Sequence, residues 1–269
     1  MIARRPGLFT LVSSLVLFAF AAEFAAAQPC APNPPGLVAW WKLDSNPADV
    51  LGAHNGVAIG GSFVPAEVLS GFRPGGLNSL VVVADSPALN PTTFTLDCWA
   101  KLESPPAVTP SLVWKGDQPG IAPTSPFGLG IYDTTQPPGL ALRPFVTIGN
   151  GVGFQELDGS ITVPIGQFFH LAATADGTTL SLYLDGVLVG SAPQILTPAA
   201  SSYPLQIGGI PAPGGLNPGP DIIDEVELHN LAATPAQILA IYVAGSSGKC
   251  LGATPAAGPT WGSLKQRYR

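Results

Sequence analysis

The chain has 269 residues, with 11 basic and 17 acidic side chains for a formal charge of −6. That sign disfavours nucleic acid and anionic membrane as partners and leaves room for a metal cation. Hydrophobic residues make up 46% of a chain that also carries 32 Gly and 30 Pro, so it is too apolar for disorder and its Gly and Pro read as turn chemistry.

Residues 1–27 read as a cleaved secretory signal peptide. Arg4 and Arg5 form a positive n-region, and Leu8–Ala22 is an apolar core too short to span a bilayer comfortably. Ala25-Ala26-Ala27 supplies the cleavage site, so the mature chain starts at Gln28 and holds no transmembrane span. Residues 28–250 then form one domain, and residues 251–269 a linker and basic tail with Lys265, Arg267 and Arg269. Between Cys30 and Cys250 sixteen acids face six bases.

The first strand is expected over Leu37–Asp44, with Leu37, Ala39, Trp41 and Leu43 on one face. Asp49–Gly60 reads as a loop and Leu80–Ala84 as a short strand. Phe94–Leu102 alternates strictly: Phe94, Leu96, Cys98 and Ala100 share one face, Asp97, Trp99 and Lys101 the other. Cys98 is thus a buried small apolar residue. Short strands follow at Leu112–Lys115, Gly128–Tyr132, Leu140–Leu142 and Phe145–Ile148, joined by Gly/Pro-rich loops, with Ser160–Val163 ahead of two hairpins.

Those hairpins lie in FFHLAATADGTTLSLYLDGVLVGSA (Phe168–Ala192). Asp176-Gly177 and Asp185-Gly186 favour type I′ turns, and Leu180, Leu182 and Leu184 alternate with Thr179, Ser181 and Tyr183. Leu205–Ile207 is another strand, Ile210–Asp221 a Pro-Gly loop, and Ile222–His229 the last strand. A helix begins at Thr234, with Pro235 at N1 and Gln237 completing a capping box; Gly245 stops it. Many short strands separated by turn signals indicate an all-β sandwich.

Several segments in order resemble the laminin-G-like, concanavalin A-like jelly-roll domains of secreted bacterial proteins. They are GLVAWWKLD, DSPALN, FTLDCWAKLE, FFHLAATADGTTLSLYLDGVLV, PLQIGG and IDEVELHNLAATPAQILAIYVAG. The chain departs from that pattern at Gly71–Val83, which lacks the usual Phe-Asp-Gly stretch. The resemblance implies a jelly-roll β-sandwich with a short C-terminal helix and adjacent chain ends, so Cys30 and Cys250 are expected to form a disulfide. It also implies a structural Ca2+ site at Asp44, Asn55 and Asp224. Asp224 shares parity with Val226 and Leu228, so its carboxylate would need a partner: a metal, backbone NH groups or a lysine. The implied function is a secreted, non-catalytic module recognising glycans or surface proteins. A glycoside hydrolase or polysaccharide lyase on the same fold is the alternative, and a structural envelope protein the second.

Glu225, Glu227 and His229 share a strand face and invite comparison with a glycosidase acid pair. A solvated outer face is the competing reading. Trp99, Trp114, Tyr132 and Tyr183 are the aromatic candidates for a sugar platform, against packing roles. No phosphate-binding loop and no G-x-S-x-G elbow occurs.

Overall fold

The computed structural model describes residues 30–76, 78–116, 125–210 and 217–250. The expected signal peptide and basic tail lie outside them. Seventeen strands and one α-helix are present among them. The strands are β1 (Leu37–Trp41), β2 (Gly56–Ile59), β3 (Ser62–Pro65), β4 (Ser70–Arg73), β5 (Leu80–Val83), β6 (Phe94–Lys101), β7 (Ser111–Lys115), β8 (Phe127–Ile131) and β9 (Pro144–Gly149). They continue as β10 (Phe154–Asp158), β11 (Phe168–Ala175), β12 (Thr179–Leu184), β13 (Val187–Pro193), β14 (Leu205–Ile207), β15 (Gly209–Ile210), β16 (Asn217–Pro218) and β17 (Ile222–His229). Helix α1 is Pro235–Ala244.

Two antiparallel sheets face each other. One has eight strands in the order β13-β12-β11-β6-β17-β4-β3, with β1 also pairing β17. The other has seven, β10-β9-β8-β7-β14-β5-β2. Between them lie Trp41, Phe72, Phe94, Leu96, Phe127, Val146, Phe169 and Leu182, all with 0% exposure. Phe94 and Phe127 meet across the gap with ring centres 5.2 Å apart and planes tilted by 40°. Each fully buried side chain of this kind contributes about 1.5–3 kcal/mol. The architecture is the expected all-β jelly-roll sandwich with one short C-terminal helix.

The Asp185-Gly186 turn has the expected geometry, with φ of 51° and 76°. Asp176-Gly177 does not: only Gly177 has positive φ. There the Asp176 carboxylate instead accepts the NH groups of Thr178 (2.7 Å) and Thr179 (2.6 Å), an Asx-type turn. Strand β2 occupies part of the expected Asp49–Gly60 loop, Leu140–Leu142 is a turn where a strand was expected, and β10 forms at Phe154–Asp158, ahead of Ser160–Val163. The helix begins as its sequence requires, with the Thr234–Gln237 capping box formed and Gly245 at its C-cap.

Helix α1 lies on the outer face of the eight-stranded sheet. Ile238 packs with Ala172, Tyr183 and Ala233, and Tyr242 stacks on Trp99 at 5.9 Å. After the helix the chain returns across the same face. Lys249 bridges Ala31 in a short parallel pairing, and Cys30 is disulfide-bonded to Cys250 with Cα atoms 5.1 Å apart. This return buries both faces of β6 and β17.

Candidate functional site

The outer face of the seven-stranded sheet is built from two cross-strand rows. In the first, Gln206 of β14 is opposite Trp114 of β7, Trp114 opposite Gly128 of β8, Gly128 opposite Thr147 of β9, and Thr147 opposite Glu156 of β10. Directly opposed residues point to the same face. In the second row Ser111, Gly130, Phe145 and Asp158 follow in the same way. The glycines make room for rings. A Cβ on Gly128 would meet the Trp114 ring at 2.1 Å, and one on Gly130 would meet Phe145 at 2.5 Å. The indole and phenyl rings therefore lie flat along the sheet.

Tyr132 packs on Phe145 at 4.6 Å. Its hydroxyl lies 2.6 Å from Glu156 Oε1 and 2.9 Å from Asp158 Oδ1. One hydroxyl has one proton to donate, so the second carboxylate contact calls for a further proton or donor. Burial, followed by the nearby Asp158 charge, raises the Glu156 pKa. Trp114 Nε1 donates to Ser125 Oγ at 3.2 Å, and Gln206 Nε2 donates to the Gly116 carbonyl at 3.2 Å. Three further atoms on this face, Ser111 Oγ, Thr147 Oγ1 and Gln206 Oε1, are buried and have no hydrogen-bond partner among the described residues. Such atoms are uncommon in folded proteins, and each calls for a reason.

A second constellation sits on the opposite side, under the returning C-terminal segment. Its origin is a bulge in β17, where the pairing with β6 shifts between Asp224 and Glu227. Glu225 takes a left-handed backbone with φ of 52°. The bulge changes the strand's parity: Ile223, Val226 and Leu228 face the core, while Glu227 and His229 face outward. Outward here still means buried. Asp97, His170, Glu225, Glu227 and His229 are all 0% exposed.

Lys249 fills the middle of this group. Its Nζ lies 2.9 Å from Asp97 Oδ2 and 3.5 Å from Glu227 Oε2, and donates to the Glu225 carbonyl at 3.1 Å. His170 Nε2 contacts Asp97 Oδ2 at 3.2 Å, and His229 Nε2 contacts Glu227 Oε2 at 2.9 Å. Trp40 Nε1 donates to Glu225 Oε2 at 3.0 Å. Burial alone would lower the Lys249 pKa and raise that of Asp97. The opposite charges, Lys249 for Asp97 and the three carboxylates for Lys249, reverse both directions. Glu225 remains pushed up to about 7, by burial first. Asp97, Glu227 and His229 also bring three ligand atoms within 4.8 Å of one another, a group that can hold a metal ion. In this structure the Lys249 ammonium already supplies a cation there.

A family model described as the concanavalin A-like lectin/glucanases superfamily matches residues 74–239. The chain belongs to that superfamily. Among solved structures, domain 4 of an extracellular arabinanase from Geobacillus stearothermophilus, in complex with arabinotriose, is 18% identical with a TM-score of 0.58. That match covers 76% of this chain and 97% of the other. A sialidase from Trypanosoma rangeli is 19% identical with a TM-score of 0.60, over 80% of this chain but only 36% of the sialidase. The binding domain of Paraclostridial Mosquitocidal Protein 1 is 13% identical, with a TM-score of 0.57 over 77% of this chain and 52% of that one. At these identities the likeness shows the lectin/glucanase fold. A search of curated proteins returns no match.

On this superfamily frame the aromatic candidates separate. Trp114 and Tyr132 meet on the seven-stranded sheet, packed in one cluster with Phe145 and Ile210. Trp99 and Tyr183 are on the other sheet, each 4% exposed beneath the helix. The expectation of a shared platform is corrected for these two, because α1 covers the face that alternation left open. Glu225, Glu227 and His229 are corrected likewise: they neither flank an open cleft nor form a solvated face. Cys98 is buried as expected, and burial raises its thiol pKa.

The three expected calcium ligands also divide. Asp224 Oδ2 accepts the Val68 NH at 2.9 Å and Asp44 Oδ1 accepts the Ser70 NH at 3.4 Å, so both hold one turn. Burial, the Val68 hydrogen bond, Glu225 and Asp44 together leave the Asp224 pKa at about 8, with burial the leading cause. Its Oδ1 is buried without a partner. Two carboxylates holding one turn, close enough for the Asp44 charge to act on Asp224 and with one orphaned oxygen, fit a hard cation. Asn55 is engaged elsewhere, accepting the Asp49 NH at 3.0 Å. Because of the bulge, Asp224 lies on the outer side of the sheet and not on the core face its parity suggested.

Sequence reasoning missed Asp49, whose carboxylate accepts the NH groups of Trp40, Leu51, Ala53 and His54 at 3.0–3.1 Å. It also missed Asp97, Lys249 and the Glu156–Asp158 pair. Ionisable residues at same-face positions of neighbouring strands were the available signal.

Proposed function

We propose that this domain is a secreted, non-catalytic glycan-binding module, with its ligand laid across the outer face of the seven-stranded sheet. The observation that carries this reading is the set of unpartnered polar atoms around Trp114: Ser111 Oγ, Thr147 Oγ1 and Gln206 Oε1. An aromatic ring beside hydroxyl and amide groups suits a sugar, which offers an apolar face and a rim of hydroxyls. Glu156 and Asp158 at one end accept further hydroxyl protons. Trp114 is 1% exposed, so a ligand must displace what covers the ring to stack on it, and half-buried Tyr132 with exposed Glu156 forms the open end of the face. The arabinotriose complex of the arabinanase domain is consistent with a sugar ligand on this fold.

Secretion is supported by the N-terminal targeting pattern and by the Cys30–Cys250 disulfide, which suits an oxidising compartment. Among the described residues no helix is long and apolar enough to cross a membrane. Asp44 and Asp224 are the residues that would hold a structural Ca2+, without Asn55; the ion would neutralise these two carboxylates and brace the Val68–Ser70 turn.

The test is a glycan array on the mature chain, residues 28–269, run with calcium and with EDTA. Hits lost in Trp114→Ala support this face. Hits that survive it place the ligand elsewhere, and an array without hits favours a surface-protein partner. Assaying each hit for newly released reducing ends separates binding from the glycosidase alternative.

A further inference from the structure

Three side chains of the buried cluster have a relationship that a salt bridge alone does not require. The Lys249 amine is 1% exposed and the Asp97 and Glu227 side chains are 0% exposed. The amine nitrogen lies 2.9 Å from Asp97 Oδ2. The carboxyl carbon is one C–O bond behind that oxygen, so the amine and the acid it would acylate are already in contact. A second carboxylate, Glu227, stands 3.5 Å from the same nitrogen. His170 Nε2 contacts the Asp97 oxygen at 3.2 Å, while Asp97 Oδ1 and Glu227 Oε1 have no partner. The disulfide at the next residue and the Ala31–Lys249 bridge fix the lysine backbone.

We propose that Lys249 and Asp97 condense to an intramolecular isopeptide bond, with Glu227 carrying the proton. The charged pair is the resting form. Glu227 takes one proton from Nζ and passes it to Asp97 Oδ1, giving a neutral amine and a neutral acid whose hydroxyl is Oδ1. The amine lone pair attacks the Asp97 carboxyl carbon, and His170, in its Nε2–H form, donates to the oxyanion that develops on Oδ2. Glu227 takes a second proton from the nitrogen and delivers it to the Oδ1 hydroxyl. The C–Oδ1 bond breaks, the C–N bond remains, and Oδ1 leaves as water with both protons. No electrons are gained or lost and no co-reactant is needed. Burial favours the product, because an amide replaces two ions in a place where ions are costly to hold.

The proposal gives the unpartnered Asp97 Oδ1 a role, while His170 Nδ1 and Glu225 Oε1 take none. Asp97 Oδ1 is the departing oxygen, Glu227 the proton carrier and His170 the oxyanion donor. It also makes Lys249 and Glu227 reacting groups, and His170 a group that touches the reacting atoms.

The experiment is mass spectrometry of the full chain after export and folding. The disulfide is reduced and alkylated, and the protein is then digested with trypsin. The expected result is an intact mass lower by one water and a branched peptide joining the Asp97 and Lys249 segments, with no cleavage after Lys249. Lys249→Arg keeps the positive charge and should abolish both signals. Glu227→Gln should slow the bond roughly 10²-fold or more, the scale of a lost proton carrier. Succinimide formation at the two Asp-Gly turns also removes water, but gives no branched peptide and is indifferent to Lys249→Arg. A folded, secreted wild-type chain that trypsin cleaves after an unmodified Lys249 would overturn the proposal. Full-yield branching in Glu227→Gln would remove Glu227 as the carrier.

Discussion

Lys249 meets Asp97 at 2.9 Å across 152 residues of sequence, and neither side chain touches solvent. Removing the lysine would leave Asp97 and Glu227 buried beside each other without the ammonium, and would remove the Lys249–Asp97 amide wherever it has formed. Lys249→Met is therefore expected to destabilise the domain by about 3–5 kcal/mol, the scale for breaking one side of a buried pair. Urea unfolding measures this. A loss below about 1 kcal/mol would mean that the carboxylates reach protons or water without the lysine.

Cys30→Ser opens a covalent loop spanning 220 residues. Chain entropy sets an upper estimate of roughly 5 kcal/mol for so long a loop. The variant should melt earlier than the wild type in oxidising buffer. Both should melt together once reductant is present. Equal melting without reductant would show that the clasp adds nothing to stability.

Asp224 and Glu225 give a pH dependence whose sign follows from their raised pKa values. Both bind protons more tightly folded than unfolded, at about 8 and about 7 against ordinary values of 3.8 and 4.5. The folded state thus holds more protons between these limits, and stability falls as pH rises through that window. In EDTA, the melting temperature should decline from pH 5 to pH 8.5, and Asp224→Asn should flatten the upper part of that decline. A melting temperature that rises over this range would contradict the assignment.

Calcium acts on the same carboxylate in the other direction. A bound ion would keep Asp224 ionised and raise the melting temperature most at alkaline pH. Asp224→Asn and Asp44→Asn should each remove that rise, while Asn55→Ala should keep it. If calcium never shifts the melting temperature, the cation site is wrong.

Thr147 separates binding from packing. Its hydroxyl has no partner, so Thr147→Val should leave stability unchanged or slightly improved. If a sugar uses that oxygen, the same change should weaken binding about five- to tenfold, or roughly 1 kcal/mol. Gly128→Ala is the complementary variant. Its methyl would strike the Trp114 ring, so it should cost about 1–3 kcal/mol and disturb binding together. Calorimetry on an array hit reads both.

The sandwich was legible because its strands alternate and its hairpins carry their own turn chemistry. The Phe94–Lys101 and Phe168–Leu184 segments specify face and pairing locally, and the helix announces itself through Thr234, Pro235 and Gln237. Parity failed at Ile222–His229 because one residue, Glu225, adopts a left-handed backbone that no local rule requires of glutamate. Alternation could show that Asp97, Trp99, His170 and Tyr183 leave the core. It could not show that they enter a second interior, since the cover comes from a segment far along the chain. The polar face around Trp114 was half legible: Trp114 and Tyr132 were in view, whereas Thr147 and Gln206 matter only through a cross-strand row.

The joining of Cys30 to Cys250 has a mechanical consequence. The chain enters and leaves the domain at one point. Tension applied between the two ends would run through the clasp and bypass the sheets. Under pulling, the sandwich would hang as a pendant from a short covalent link, its two sheets undistorted while the link holds.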